Sequence, residues 1–268
     1  MSKILLSIYL VCLSLAVHGQ VDSDIYHKNS LLIALSAGGT YPIGKFAKFE
    51  IDSSEYTENI AGAALTGFNV RLNTDYFLNQ DFGIAFCFQH SKINSKNPTS
   101  GELFYDPRPW SQGLGGGSKQ VSYNYNTGDW KISELTTGIV AKASAEYVDF
   151  YCRVNGGLII VVSPKTELVE SKYIWQMGQP NEYYTKTSVQ PSAQSYSFCG
   201  SVQADARFSL NARKKIFLLV SIEYLTSHCV LHAVRNSVYS SGSQSEYKFS
   251  FSKNVNTFGI NAGIAWRI

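Results

Sequence analysis

Tyr196-Ser-Phe-Cys-Gly-Ser-Val-Gln-Ala-Asp-Ala-Arg-Phe-Ser-Leu210 decides the fold. Its even positions (Tyr196, Phe198, Gly200, Val202, Ala204, Ala206, Phe208, Leu210) carry no charge. Its odd positions (Ser197, Cys199, Ser201, Gln203, Asp205, Arg207, Ser209) are almost wholly polar. An alternation of period two is the mark of a strand with two different faces. It persists for about fifteen residues, where a strand of a soluble protein averages about five or six. A tilted strand needs about nine to eleven residues to cross a bilayer, so the length points to a membrane barrel.

The same pattern recurs along the chain. It covers 29–40, 63–75, 82–91, 148–163, 216–229 and 255–268, with Leu31, Phe68, Phe86, Phe150, Leu218 and Ile264 among the apolar-face residues. One more segment, 131–145, reads as strand through Leu135, Thr137, Ile139, Ala141 and Ala143. It also has fair helical spacing through Ile132, Leu135, Ile139 and Ala143. A helix there would leave two strand edges open inside a membrane, which hydrocarbon does not tolerate. Eight strands result, and the predicted fold is an all-β, eight-stranded antiparallel up-and-down transmembrane barrel over 29–268. Short turns near 76–81, 144–147 and 211–215 alternate with four long connections at about 41–62, 92–130, 164–194 and 230–250. Tight turns on one side and long external loops on the other match the layout of outer-membrane barrels.

The start of the chain fits export. Lys3 precedes an apolar run from Ile4 to Val17, and Gly19 ends a candidate cleavage site, so 1–19 is read as a signal peptide and 20–28 as a short periplasmic segment. Cys12 follows Val11 rather than a small residue, which disfavours a lipoprotein site. Tyr (17) and Phe (15) are abundant while charged residues make up 16%, a composition suited to β-structure. A net charge of +3 without a basic cluster gives no nucleic-acid footprint. Cys87, Cys152, Cys199 and Cys229 show no paired metal-ligand spacing. Cys199 and Cys229 should lie on neighbouring strands about two residues out of register, which argues against a direct disulfide. No metal or cofactor is expected.

With the apolar faces turned to lipid, the inward positions hold Arg71, Glu134, Lys142, Asp149, Arg153, Asp205, Arg207, Glu223 and Arg267. Eight strands enclose a space that side chains just fill, so these charges should pair in an ionic lumen network. Phe82, Phe208 and Trp266 should mark the periplasmic rim of the belt, and Tyr196 and Tyr224 the outer rim, as an aromatic girdle.

In architecture the chain resembles small Gram-negative outer-membrane β-barrels of the OmpA/OmpX-like and PorT-like kind. The resemblance rests on the opening strand with Gly38-Gly39-Thr40-Tyr41-Pro42-Ile43-Gly44-Lys45-Phe46, and on the terminal Phe258-Gly-Ile-Asn-Ala-Gly-Ile-Ala-Trp266-Arg-Ile268. It implies residence among outer-membrane lipid and recognition by the barrel assembly machinery through the last strand. Such signals usually end in Phe, and here the last residue is Ile268. No peptidoglycan-binding domain is expected after the eighth strand.

Enzymatic features are weak. His90 and Ser91 are adjacent and so point to opposite faces. His228, His232 and Glu246 are gathered near one long connection without a fixed geometry. Gly113-Leu-Gly-Gly-Gly-Ser-Lys119 places Ser before Lys and lacks the order of a phosphate loop. Aromatics in the long connections (Phe104, Tyr105, Trp110, Tyr123, Tyr125, Trp130; Tyr173, Trp175, Tyr183, Tyr184) form a candidate contact surface. The expectation is therefore a non-enzymatic barrel acting through its loops on an envelope or extracellular protein partner, in surface interaction or in envelope or secretion assembly. A narrow porin-like channel is the alternative, followed by a lipid-modifying enzyme and a soluble β-barrel binder.

Overall fold

The computed structural model describes residues 30–48, 63–96, 118–175, 182–210 and 215–268. The signal peptide, the 20–28 segment, and Phe104, Tyr105 and Trp110 lie outside the described residues. Strands run over Leu31–Pro42 (β1), Ala63–Phe77 (β2), Phe82–Lys96 (β3), Ser118–Thr127 (β4), Trp130–Ser144 (β5) and Val148–Val162 (β6). They continue over Thr166–Trp175 (β7), Glu182–Gln190 (β8), Gln194–Ser209 (β9), Ile216–Tyr239 (β10) and Gln244–Arg267 (β11). The ambiguous 131–145 segment is strand β5.

Eight of these strands close a ring in the order β1-β2-β3-β5-β6-β9-β10-β11, sealed by antiparallel pairing of β11 with β1. Every neighbouring pair is antiparallel, and one register step carries each residue to the other face. Closure requires close backbone approach at a few inward glycines. A Cβ at Gly38 would stand 1.9 Å from the Ile260 carbonyl oxygen, and one at Gly138 2.0 Å from that of Val154. The short turns are locally determined. The Asn79 side chain accepts from the backbone N–H groups of Asp81 and Phe82 at 2.9 and 2.7 Å, an Asx turn that reverses β2 into β3.

Much of what reads as long loop in the sequence is strand. The 92–130 connection holds β4, the 164–194 connection holds β7 and β8, and 230–250 is the continuation of β10 into β11 through a tight turn. β4 pairs with β7, β7 with β8, and β8 with the far part of β10. Together they raise a β crown above one end of the ring. Three neighbouring chain segments break where ring meets crown, at 128–129, 163–165 and 191–193. Pro164 and Pro191 cannot donate to a ladder, so the strands stop there. The break is stitched by Gly128 N–H to Lys165 O at 2.9 Å, Ser163 N–H to Ala193 O at 2.8 Å, and Ala193 N–H to Ser163 Oγ at 2.9 Å.

Candidate functional site

The outer wall of the ring is an apolar belt. Leu35, Phe68, Leu72, Phe86, Phe88, Leu135, Val154, Leu158, Phe198 and Ile222 all point outward and are exposed, Ile139 at 66% and Phe198 at 80%. The belt runs from Phe68 to Tyr76 on β2 and from Ile216 to Tyr224 on β10, the length a tilted strand needs to cross a bilayer. On the crown side it ends in polar residues. Lys92 and Lys131 stand opposite each other on β3 and β5, so these two strands carry charge on their outward faces at that end. Lys92 reaches Asp129 at 2.9 Å, which places both lysines at the border of the belt rather than within it. Trp266, Phe82 and Phe208 lie at the short-turn end. Tyr196 and Tyr224 lie toward the crown, where Tyr224 pairs with Phe258 and Phe258 with Tyr41 in an outward row.

Inside, the lumen has three layers. At the short-turn end, Leu32, Ala34, Phe77, Ala85, Val140, Tyr151, Phe217, Leu219 and Ala265 form one apolar cluster. At the crown end a second cluster contains Ile93, Trp130, Ile132, Ile159, Val161, Leu225, Leu231 and Val255. A single-turn 3-10 helix, Gly44–Ala47, folds back over this end and inserts Phe46 against Trp130, with ring centroids 5.4 Å apart and edge-to-face. Trp130, expected on a loop surface, is therefore fully buried. Its even-numbered position matches the inward register of β5, which turns its side chain into the lumen. The charged residues of the lumen lie in a middle layer between these two apolar clusters, which the sequence reading does not include.

The ionic middle holds most of the charges read from the sequence, and one that the sequence reading misses. Arg153 grips Asp75 with two bonds, Nε to Oδ1 at 2.8 Å and Nη2 to Oδ2 at 2.6 Å, and donates Nη1 to Asp205 Oδ2 at 2.5 Å. Arg207 Nη2 reaches the same two carboxylates at 3.0 and 2.9 Å. Gln203 Nε2 donates to Asp205 Oδ1 at 2.7 Å. The Arg207 guanidinium lies 3.9 Å from the Tyr151 ring centroid, joining the network to the short-turn plug. Asp75 shares the parity of Arg71 and Asn73. The sequence pattern makes it the end of its strand, where a wet carboxylate is ordinary, but β2 runs on to Phe77 and carries Asp75 inside.

Arg71 pairs with Glu223 and donates Nε to Gln89 Oε1 at 2.6 Å. Glu134 is buried in the same layer, yet neither of its carboxylate oxygens has a hydrogen-bond partner, so it does not join the hydrogen-bonded network as expected. Nearer the short-turn end, Arg267 and Lys142 share Asp149 at 3.2 and 3.9 Å. Lys253, absent from the sequence reading, is buried among the crown-end residues. Arg–carboxylate pairs of this kind fix orientation through their planar forks.

Buried ion pairs within and an apolar belt without are the inverse of a soluble protein. The chain is a transmembrane β-barrel of the outer-membrane type.

Other candidate chemistry is dispersed. His90 Nδ1 meets Ser133 Oγ at 2.9 Å on the outer wall, while Ser91 is buried in the lumen. His228 meets Asn254 at 2.7 Å, His232 meets Ser250 at 2.7 Å, and Glu246 pairs with Lys248 at 3.2 Å. Each has a separate partner, and the set does not converge. Among the described residues no group of His, Cys, Asp or Glu is placed to hold a metal. Cys87, Cys199 and Cys229 take part in no disulfide. Cys199 faces Ser227, so Cys229 lies two positions on. Of the Gly-rich segment, only Ser118 and Lys119 are described, at the start of β4.

No protein-family model and no curated protein matches the chain. Solved structures similar to it include Ail, the attachment invasion locus protein of Yersinia pestis, at 15% identity, covering 90% of this chain and 100% of that one with a TM-score of 0.36. The outer membrane protein OprG from Pseudomonas aeruginosa is similar at 9% identity, 92% and 99% coverage and a TM-score of 0.45. A major outer membrane protein from Thermus thermophilus is similar at 10% identity, 89% and 99% coverage and a TM-score of 0.42.

Proposed function

We propose that this barrel is a non-enzymatic anchor of the outer membrane, closed to solutes, that presents its β crown to the outside for surface interaction or for envelope or secretion assembly. The observation that carries this reading is the pairing of a lumen plugged at both ends with a crown built from hydrogen-bonded strands. A plugged interior leaves no path for a substrate. A crown ordered by ladder pairing offers a surface organised before a partner arrives, which lowers the ordering cost of binding. Its partner is an envelope or extracellular protein, and the terminal strand is the element through which the barrel assembly machinery inserts the chain.

The test is topological. Ser241→Cys at the crown tip and Ala145→Cys in a short turn are expressed separately and treated with a membrane-impermeant maleimide. In intact cells Ser241→Cys should react, and Ala145→Cys should react only after the outer membrane is opened. The reverse pattern, or equal reaction of both, contradicts the proposed orientation.

A further inference from the structure

The crown carries a small cleft that the barrel itself does not require. Its volume is about 320 Å³, at the lower end of ligand-sized clefts. β7, β8 and the tip of the β10–β11 hairpin form it. Glu170, Lys186 and Tyr239 stand directly opposite one another across β7, β8 and β10, so they share one face of the crown. Tyr184, two residues from Lys186, lies on that same face. The rim is Thr185 and Ser240, joined by Ser240 N–H to Thr185 O at 2.8 Å and Thr185 N–H to Ser240 Oγ at 3.4 Å.

The hairpin tip is fixed. Gly242 adopts φ +83°, and its N–H donates to Tyr239 O at 2.9 Å. Tyr239 is thereby held at the cleft, with the Lys186 ammonium 5.5 Å from its ring centroid. Tyr184 and Tyr239 nonetheless keep 47% and 39% of their surface open. Amphipathic rings on a ladder-bonded frame, exposed beside one carboxylate and one ammonium, suit a ligand with an apolar face and a hydroxyl rim. A pyranose ring has that form. Its C–H face can lie on a tyrosine ring, and its hydroxyls can reach Glu170 and Lys186. One positive and one negative group give the lining no net charge, which disfavours polyanions.

We propose that this cleft binds a neutral saccharide unit. The proposal rests on the crown being the interaction surface, but its test does not depend on orientation. Labelled full-length barrel in phospholipid nanodiscs, free of maltoside detergent that could itself compete, is applied to an array of neutral, acidic and amino-sugar oligosaccharides. Binding should favour neutral glycans. It should weaken at least about tenfold in Tyr184→Ala and in Tyr239→Ala, and persist in Tyr183→Ala, whose ring lies on the opposite face. Heat-modifiable gel migration confirms that each variant is folded. Absence of glycan binding, preference for acidic glycans, or equal loss in Tyr183→Ala overturns the proposal. None of these outcomes alters the labelling result at Ser241 and Ala145, so failure of the ligand and failure of the orientation are separable.

Discussion

Arg153→Met should be among the most damaging single changes in the lumen. In the wild type, Arg153 makes three bonds of 2.5–2.8 Å to Asp75 and Asp205, and all three residues are buried. Removal of the guanidinium leaves two carboxylates sharing one guanidinium, that of Arg207, whose Nη2 lies at 3.0 and 2.9 Å. Methionine fills much of the volume, so the loss is mainly electrostatic. Removing one partner of a buried ion pair costs about 3–5 kcal/mol, because the other charge stays uncompensated. The assay is reversible urea unfolding of the barrel in phospholipid, followed by tryptophan fluorescence and heat-modifiable migration.

The double variant Arg153→Met with Asp75→Asn restores one carboxylate per guanidinium. It should therefore be more stable than the sum of its parts by about 1–3 kcal/mol. Arg153→Lys should rescue little, since a single ammonium cannot reproduce the two-pronged grip on Asp75 together with the bond to Asp205. A cost below about 1 kcal/mol for Arg153→Met, or strict additivity in the double variant, would refute the assignment of this cluster as the barrel's ionic brace.

Three further outcomes follow from the same geometry. Glu134→Gln removes a charge whose oxygens have no hydrogen-bond partner, so its stability in the same urea assay should equal or exceed wild type. Ile139→Arg puts a charge on the lipid face at a residue 66% exposed and should cost about 2–4 kcal/mol if the belt is at mid-membrane; an unchanged midpoint would contradict the lipid assignment. Gly138→Ala would drive a Cβ to 2.0 Å from the Val154 carbonyl, so refolding yield by gel migration should collapse, whereas Gly242→Ala at the open crown tip should leave the ring able to close.

The ring was legible because its signal is simple. In β9 every second residue from Tyr196 to Phe208 faces outward, and the odd positions Gln203, Asp205 and Arg207 are all buried. The lumen charges followed from parity, and Asp75 joins them once β2 is extended by two residues toward its turn. The apolar plugs were harder to see. Phe217, Leu219, Ile132 and Val161 break the polar face of their strands, and a local pattern cannot tell a plug from an irregularity without knowing that the residues meet across the barrel. The crown was hidden for a different reason. Its strands are interrupted by Pro164 and Pro191 and are mixed in polarity on both faces, because neither face is buried in lipid. The cleft depends on pairings such as Lys186 with Tyr239, far apart in sequence, which no periodicity reports.

The central claim, a lumen closed at both ends, is tested most directly by planar-bilayer recording of the full-length wild-type barrel, with its folded state verified by gel migration. The Phe46–Trp130 plug and the Phe77–Tyr151 plug, whose rings are 5.4 and 5.9 Å apart, predict a silent membrane with no stable, discrete conductance steps. Reproducible single-channel steps from the folded protein would contradict the account and favour the narrow transport channel.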